Sequence, residues 1–251
     1  MSVAPIQQAA TSPHRGLVEV STLAFLYGIY ELVRGQGHAT LAAARAHTDL
    51  IVDLERSLHI FGERAVQNAA HAVPGASTVL GIAYIVLHFI GTAAFLVWLY
   101  RRHRERFALV RNVLIGATGI ALAFYVLFPV APPRLAGLGF VDTVSESAKV
   151  NLSSDLLGSL YNPFAAVPSL HFGYALLVGL TLASLGHRVI GWSYPVVMLI
   201  VVVGTGNHFF FDAFAGALAI GAGFAIARII AVASTREPRS RAAAGRAVLT
   251  S

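Results

Sequence analysis

A chain of 251 residues that is 56% hydrophobic, 12% charged and has a mean hydropathy of +0.69 is too apolar for a soluble domain, where about 25% of residues carry charge. The absence of cysteine excludes disulfides and thiolate chemistry. The net charge of +6 is carried by arginines beside apolar runs, with Lys149 the only lysine, which reads as anchoring of membrane helices and not as a nucleic-acid surface.

In chain order, residues 1–16 read as a flexible N-terminus without the basic start and short apolar core of a cleaved signal peptide. Leu17–Val33 is the first predicted span, with Glu19 and Glu31 near its ends. Residues 35–75 differ, being rich in alanine and charge. Leu50, Ile51, Leu54, Leu58 and Phe61 recur there at helical spacing, so one or two amphipathic helices should lie on the membrane surface, with Asp53, Glu55 and Glu63 on a solvated face.

Ser77–Tyr100 and Phe107–Phe128 are the second and third predicted spans, the latter with Arg111 as an anchor near its start. A loop from Pro129 to Asn162 carries Pro132-Pro133-Arg134. Ala165–Leu185, Val189–Val203 and Phe209–Ala233 complete the set, and residues 234–251 read as a basic, disordered tail. The expected fold is an all-α, polytopic membrane helical bundle over residues 17–233, with six transmembrane helices plus an interfacial amphipathic segment. Arg101, Arg102, Arg104, Arg106, Arg188, Arg236, Arg239, Arg241 and Arg246 then share one side, which the positive-inside rule makes cytoplasmic, together with both termini. Residues 34–76, 129–164 and 204–208 face the other way.

The interval between His171 and His208 matches two crossings of ~20 apolar residues, so both histidines emerge on that extracytoplasmic face. His208 and Asp212 lie one helical turn apart, where a carboxylate can orient one imidazole nitrogen and leave the other as base or nucleophile. Asn207 is placed to cap the sixth span, His171 sits in the first turn of the fourth, and Arg134 supplies a forked cation. Two convergent helix N-termini would add open N–H groups for an anion. Together these suit phosphoryl transfer. Three readings compete with it: a structural His–Asp hydrogen bond, a zinc site of His171, His208 and Asp212, and a lipid transporter or scramblase using the same pocket without chemistry. His88, in the second span, reads equally as a packing polar residue or a site residue.

Pro168-Ser169-Leu170-His171 resembles the Pro-Ser-Gly-His motif of the type 2 phosphatidic acid phosphatase superfamily, and His208 with Asp212 resembles the His-x-x-x-Asp end of its third motif. Pro133-Arg134 falls where the first motif has its arginine. The resemblance covers roughly Arg111 to Ala217. It implies a metal-independent enzyme without cofactor, with His208 as nucleophile, Asp212 as its orienter, His171 as general acid, and Arg134 and Ser169, with Asn207, as phosphate ligands. The partners it implies are a membrane lipid substrate and no nucleic acid, with a homo-oligomer left open, in a plasma membrane of bacterial type. Leu127, Val201 and Val202 stand where the family carries lysine, serine and arginine, and Leu170 and Leu135 where it carries glycine and proline. Pro132-Pro133-Arg134, Gly206-Asn207-His208 and the Glu55/Glu63 segment resemble the branch containing fungal inositol phosphorylceramide synthase. The reduced set of cations favours a singly charged phosphodiester over a doubly charged monoester. The expected activity is therefore phosphatase or phosphotransferase chemistry on a lipid-linked phosphate, leaning to diester head-group transfer, with simple lipid or polyprenyl phosphate hydrolysis as the alternative.

Overall fold

The computed structural model describes residues 39–148 and 162–248, together with Gly16, Glu19, Ser21, Ala24, Phe25, Tyr27, Gly28 and Leu32, and describes side chains through Ala233. The flexible N-terminus expected over 1–16 and most of the first predicted span lie outside these residues. Among the described residues the fold is helical, with a single isolated bridge between Val130 and Ala165.

Helices α1 (Leu41–Ser57) and α2 (Glu63–Ala72) form the segment expected to be amphipathic. Thr40 starts α1 by accepting from Ala43 N at 3.2 Å. Helix α3 runs Ala76–Arg102 with a π-helical stretch at Val86–Gly91, and α4 runs Arg104–Leu127. After a 3₁₀ turn at Pro133–Leu135 and the short α5 (Thr143–Ala148), the chain returns as α6 (Leu170–Ser184), α7 (Arg188–Gly204) and α8 (Phe210–Val248).

Among the described residues three helices are long and apolar enough to cross a membrane: α3, α4 and the Phe210–Ala233 part of α8. The fourth and fifth predicted spans are shorter apolar helices of 15 and 17 residues, below the ~20 that one crossing takes. Helix α6 starts five residues later than expected because proline at 168 disfavours helical backbone at Val167, so the turn ends at Ser169, whose hydroxyl accepts from Phe172 N at 3.4 Å. Helix α8 differs in the opposite direction. It stays helical through Val248, where a disordered tail was expected, in line with the strong helix propensity of alanine and arginine.

The exterior is apolar: Leu127 is 80% and Val189 84% exposed, as suits a surface that meets lipid. Beneath it, Phe95, Leu99, Val113, Leu177 and Ile220 join α3, α4, α6 and α8 in one core. Arg111, expected as a cytoplasmic anchor, makes an ion pair with Glu19 of the first predicted span.

Helix α1 is amphipathic in the sense expected of a surface helix, but it turns Glu55 toward the protein and not to solvent. Leu50, Leu54 and Leu58 point outward, while Ala44, Thr48, Ile51, Val52 and Glu55 face the protein. Its polar groups are used inward: Thr48 Oγ1 donates to Ala131 O at 2.9 Å, His47 Nδ1 meets Pro129 O at 2.8 Å, and Arg45 Nε donates to Leu135 O at 2.8 Å. From α2, Gln67 pairs with the backbone of Val141 in both directions, at 2.9 and 3.0 Å, and Arg64 donates to Leu138 O. The two helices thus clasp the loop that carries Arg134.

A close backbone approach joins the start of α6 to α8. A Cβ on Gly216 would lie 2.4 Å from Ser169 O, and one on Gly173 would lie 3.2 Å from Gly216 O. Ser169 N donates to Asp212 O at 2.9 Å across this contact. Gly216→Val should therefore force α8 off the Ser169 turn and destabilise the protein by ~1–3 kcal/mol or more. Gly221→Ala, where a Cβ meets nothing within 4 Å, should be neutral or stabilising by ~0.5–1 kcal/mol. Thermal unfolding of both variants in detergent checks this pair.

Candidate active site

The α6–α8 contact sets the end of α6 beside the start of α8. The rings of His171 and His208 lie 5.9 Å apart between centroids, so the two histidines separated by a helical hairpin share one site. His208 is buried, and its Nδ1 donates to Asp212 Oδ2 at 3.2 Å, leaving Nε2 as the nitrogen open to chemistry. Asp212 is fully buried, and the same oxygen accepts from Phe209 N at 2.9 Å.

Arg134 reaches the site from the loop through several restraints. Its backbone N donates to Gly206 O at 3.0 Å, its Nε donates to Asn207 Oδ1 at 3.0 Å, and its side chain, 4% exposed, lies 3.7 Å from Asp142 Oδ2. Gly206 is needed here on two counts: its φ is +70°, and a Cβ would fall 2.8 Å from Gln67 Nε2 and 2.9 Å from Val141 O. Asn207 donates in turn to Thr205 Oγ1 at 3.0 Å. It was expected as the cap of the last helix. Instead α8 begins at Phe210, and Asn207 serves as the holder of the Arg134 guanidinium.

His171, His208, Arg134 and Asn207 line one end of a cavity of about 580 Å³ that continues between α3 and α4 past Thr92, Leu96, Leu114 and Thr118. Ser169, expected as a phosphate ligand, does not line it. The residue is fully buried, and its hydroxyl is used to cap α6. Asp212 also stands outside the lining, bonded to His208 itself, and among the described residues no group of three histidine, aspartate or glutamate side chains could hold a metal ion.

Two features escaped the sequence reading. First, His171 is sandwiched: the Tyr84 ring stacks on it at 4.1 Å and the His88 ring at 3.8 Å, with Tyr174 next to His88 at 5.4 Å. His88 sits on the π-helical stretch, and such bulges recur at functional sites. Its place inside an apolar span was the available signal, since ionisable groups at membrane depth are functional by default.

Second, Glu55 and Glu63 are not on a solvated face. Both are fully buried; Glu63 Oε1 accepts from Phe210 N at 2.9 Å, and Glu55 Oε1 from Phe211 N at 2.6 Å. The amide just before the last helix, Phe209 N, and the first two within it, Phe210 N and Phe211 N, are thus held by Asp212, Glu63 and Glu55, and these three are not open to an incoming anion, where the sequence reading expected open N–H groups. No local signal marked these glutamates, because their partners are some 150 residues away in sequence.

The PAP2 superfamily model matches residues 49–226, most of the chain, and the chain belongs to that superfamily. The fold and the match together define an integral membrane protein of lipid phosphatase type. No match was found among curated proteins or among solved structures.

Asn207→Ala removes the acceptor that holds Arg134 Nε and should cost ~1–3 kcal/mol, because a nearly buried charged donor loses its partner. Thermal unfolding of the purified variant measures this.

Proposed function

We propose that the protein transfers the phosphoryl or phosphodiester head group of a membrane lipid through a covalent histidine intermediate. The observation that carries this reading is the His208–Asp212 pair facing His171 and Arg134 across one cavity end. His208 Nε2 attacks phosphorus, and the bond from phosphorus to the leaving oxygen breaks. His171 delivers its proton to that oxygen. The phospho-His208 is then attacked by water or an acceptor hydroxyl, whose proton passes to His171, and His208 is regenerated. Asp212 holds the imidazole orientation and stabilises its positive charge, while Arg134 neutralises the equatorial oxygens. Tyr84 and His88 fix the ring plane of His171 so that its proton points at the leaving group.

The cavity suits a lipid. Beyond the polar end it is walled by apolar side chains of the long α3 and α4, and a lipid can reach it sideways from the bilayer. The arginine clusters at 101–106 and 188 favour an extracytoplasmic site with cytoplasmic termini. Among the described residues that line the cavity, Arg134 is the one arginine and there is no lysine. A site with one permanent cation neutralises a singly charged diester better than a monoester bearing close to two charges. Head-group transfer from a phosphodiester lipid to a hydroxyl acceptor is therefore preferred over monoester hydrolysis.

Labelled phosphate from a lipid donor should be trapped on wild type and lost in His208→Ala, whereas turnover without any trapped label would contradict the nucleophile, and transport without turnover would favour a carrier. His171→Ala should lower kcat by ~10²–10⁴-fold. For the head-group preference, turnover of phosphatidylinositol-type diesters should exceed that of phosphatidic acid in the same detergent; the reverse order contradicts it.

A further inference from the structure

The site is anchored from behind by Glu55 of α1 and Glu63 of α2, two fully buried carboxyls that neither the cavity nor the transfer steps use. They accept from consecutive amides, Phe211 N and Phe210 N, in the turn that contains Asp212. Each thereby spends one oxygen on α8. Their other oxygens, Glu55 Oε2 and Glu63 Oε2, are buried, and no donor N–H or O–H of the protein reaches them among the described residues. Because they hold consecutive amides of one turn, the two buried carboxyls stand side by side. Two carboxylate oxygens cannot bond one another without a proton between them.

We propose that Glu55 and Glu63 form a carboxyl–carboxylate clamp that shares one proton and positions the His208–Asp212 turn from the extramembrane helices. The clamp delivers one net negative charge to the positive end of α8, enough to complement the helix dipole. A second charge would stand beside Asp212 and push the turn apart. The titratable groups facing Glu55 are Glu63 of α2 and, on α8, Asp212 with its partner His208. Arg56, next to Glu55 on α1, is turned outward to Asp53 at 4.0 Å and does not offset the charge. Burial, followed by the bond to Glu63, pushes Glu55 up from 4.5 to about 9, in agreement with a proton retained at neutral pH. Because the folded value is the higher one, the folded state binds the extra proton between 4.5 and about 9. Stability then falls as pH rises through that window and levels off above it.

Glutamine at 55 keeps a carbonyl for Phe211 N and offers an N–H to Glu63, so it reproduces the protonated acid without titrating. Alanine keeps neither. The catalytic consequence rests on the transfer reaction proposed above, but the shared proton does not, and the experiment separates them. Wild type, Glu55→Gln and Glu55→Ala are purified in detergent, and unfolding midpoints and turnover of a phosphatidylinositol-type lipid are recorded from pH 6 to 10. The midpoint of Glu55→Gln should gain on wild type steadily as pH rises, and its alkaline loss of kcat should move upward by a unit or more. At pH 7.5 Glu55→Gln should rescue at least half of kcat, whereas Glu55→Ala should lose tenfold or more with KM little changed. Parallel midpoints for wild type and Glu55→Gln across the range overturn the shared proton, whatever the turnover. Glu55→Gln as impaired as Glu55→Ala at pH 7.5 overturns the clamp as the positioning device. A widening midpoint gap with no turnover in any variant upholds the shared proton and contradicts only the transfer reaction.

Discussion

The hydrogen bond from Ser169 N to Asp212 O is the contact on which the site depends. It can form only because Gly216 has no side chain, since a Cβ there would collide with Ser169 O. Through this one approach the turn before α6 and the first turn of α8 become a single unit. His171 follows Ser169 by two residues, and His208 precedes Asp212 by one helical turn. Fixing the 169–212 contact therefore fixes the distance between the two rings. The helices bring the chain back to the same level, and the glycine contact converts that rough return into a defined geometry.

Around this unit the protein places its polar groups in layers that all face inward. Arg134 is held by Asn207, Asn207 by Thr205, and the loop below Arg134 by Arg45, Arg64 and Gln67. Behind the last helix, Glu55 and Glu63 take amides that would otherwise be orphaned at a buried helix end. A helix terminus in apolar surroundings must satisfy its N–H groups from within the protein, because each unsatisfied one costs several kcal/mol there. The segment between the first two predicted spans is thus part of the frame of the candidate site and more than a cover over it.

The motif-bearing parts of this arrangement were legible in the sequence. The spacing of His208 and Asp212, the hairpin length before them, and Arg134 after two prolines were enough to foresee that these side chains meet in one place. Length and apolarity located α3, α4 and the Phe210–Ala233 part of α8 to within a few residues. What failed to be legible was non-local. Glu55 and Glu63 look like surface charges because local periodicity cannot reveal an acceptor for backbone amides far along the chain. Asn207 resembled a cap by type and position, but the guanidinium of Arg134 claimed its oxygen. Ser169 matched a motif position, yet its hydroxyl is consumed in starting α6.

The central claim is that both imidazoles address one phosphorus atom. A structure of the protein soaked with orthovanadate, a mimic of the pentacoordinate phosphoryl group, tests it most directly. The account predicts vanadium bonded to Nε2 of His208, with His171 hydrogen-bonded to an apical oxygen and Arg134 to the equatorial ones. Vanadium bound away from His208, or held with His171 and His208 on the same side of it, would contradict the account.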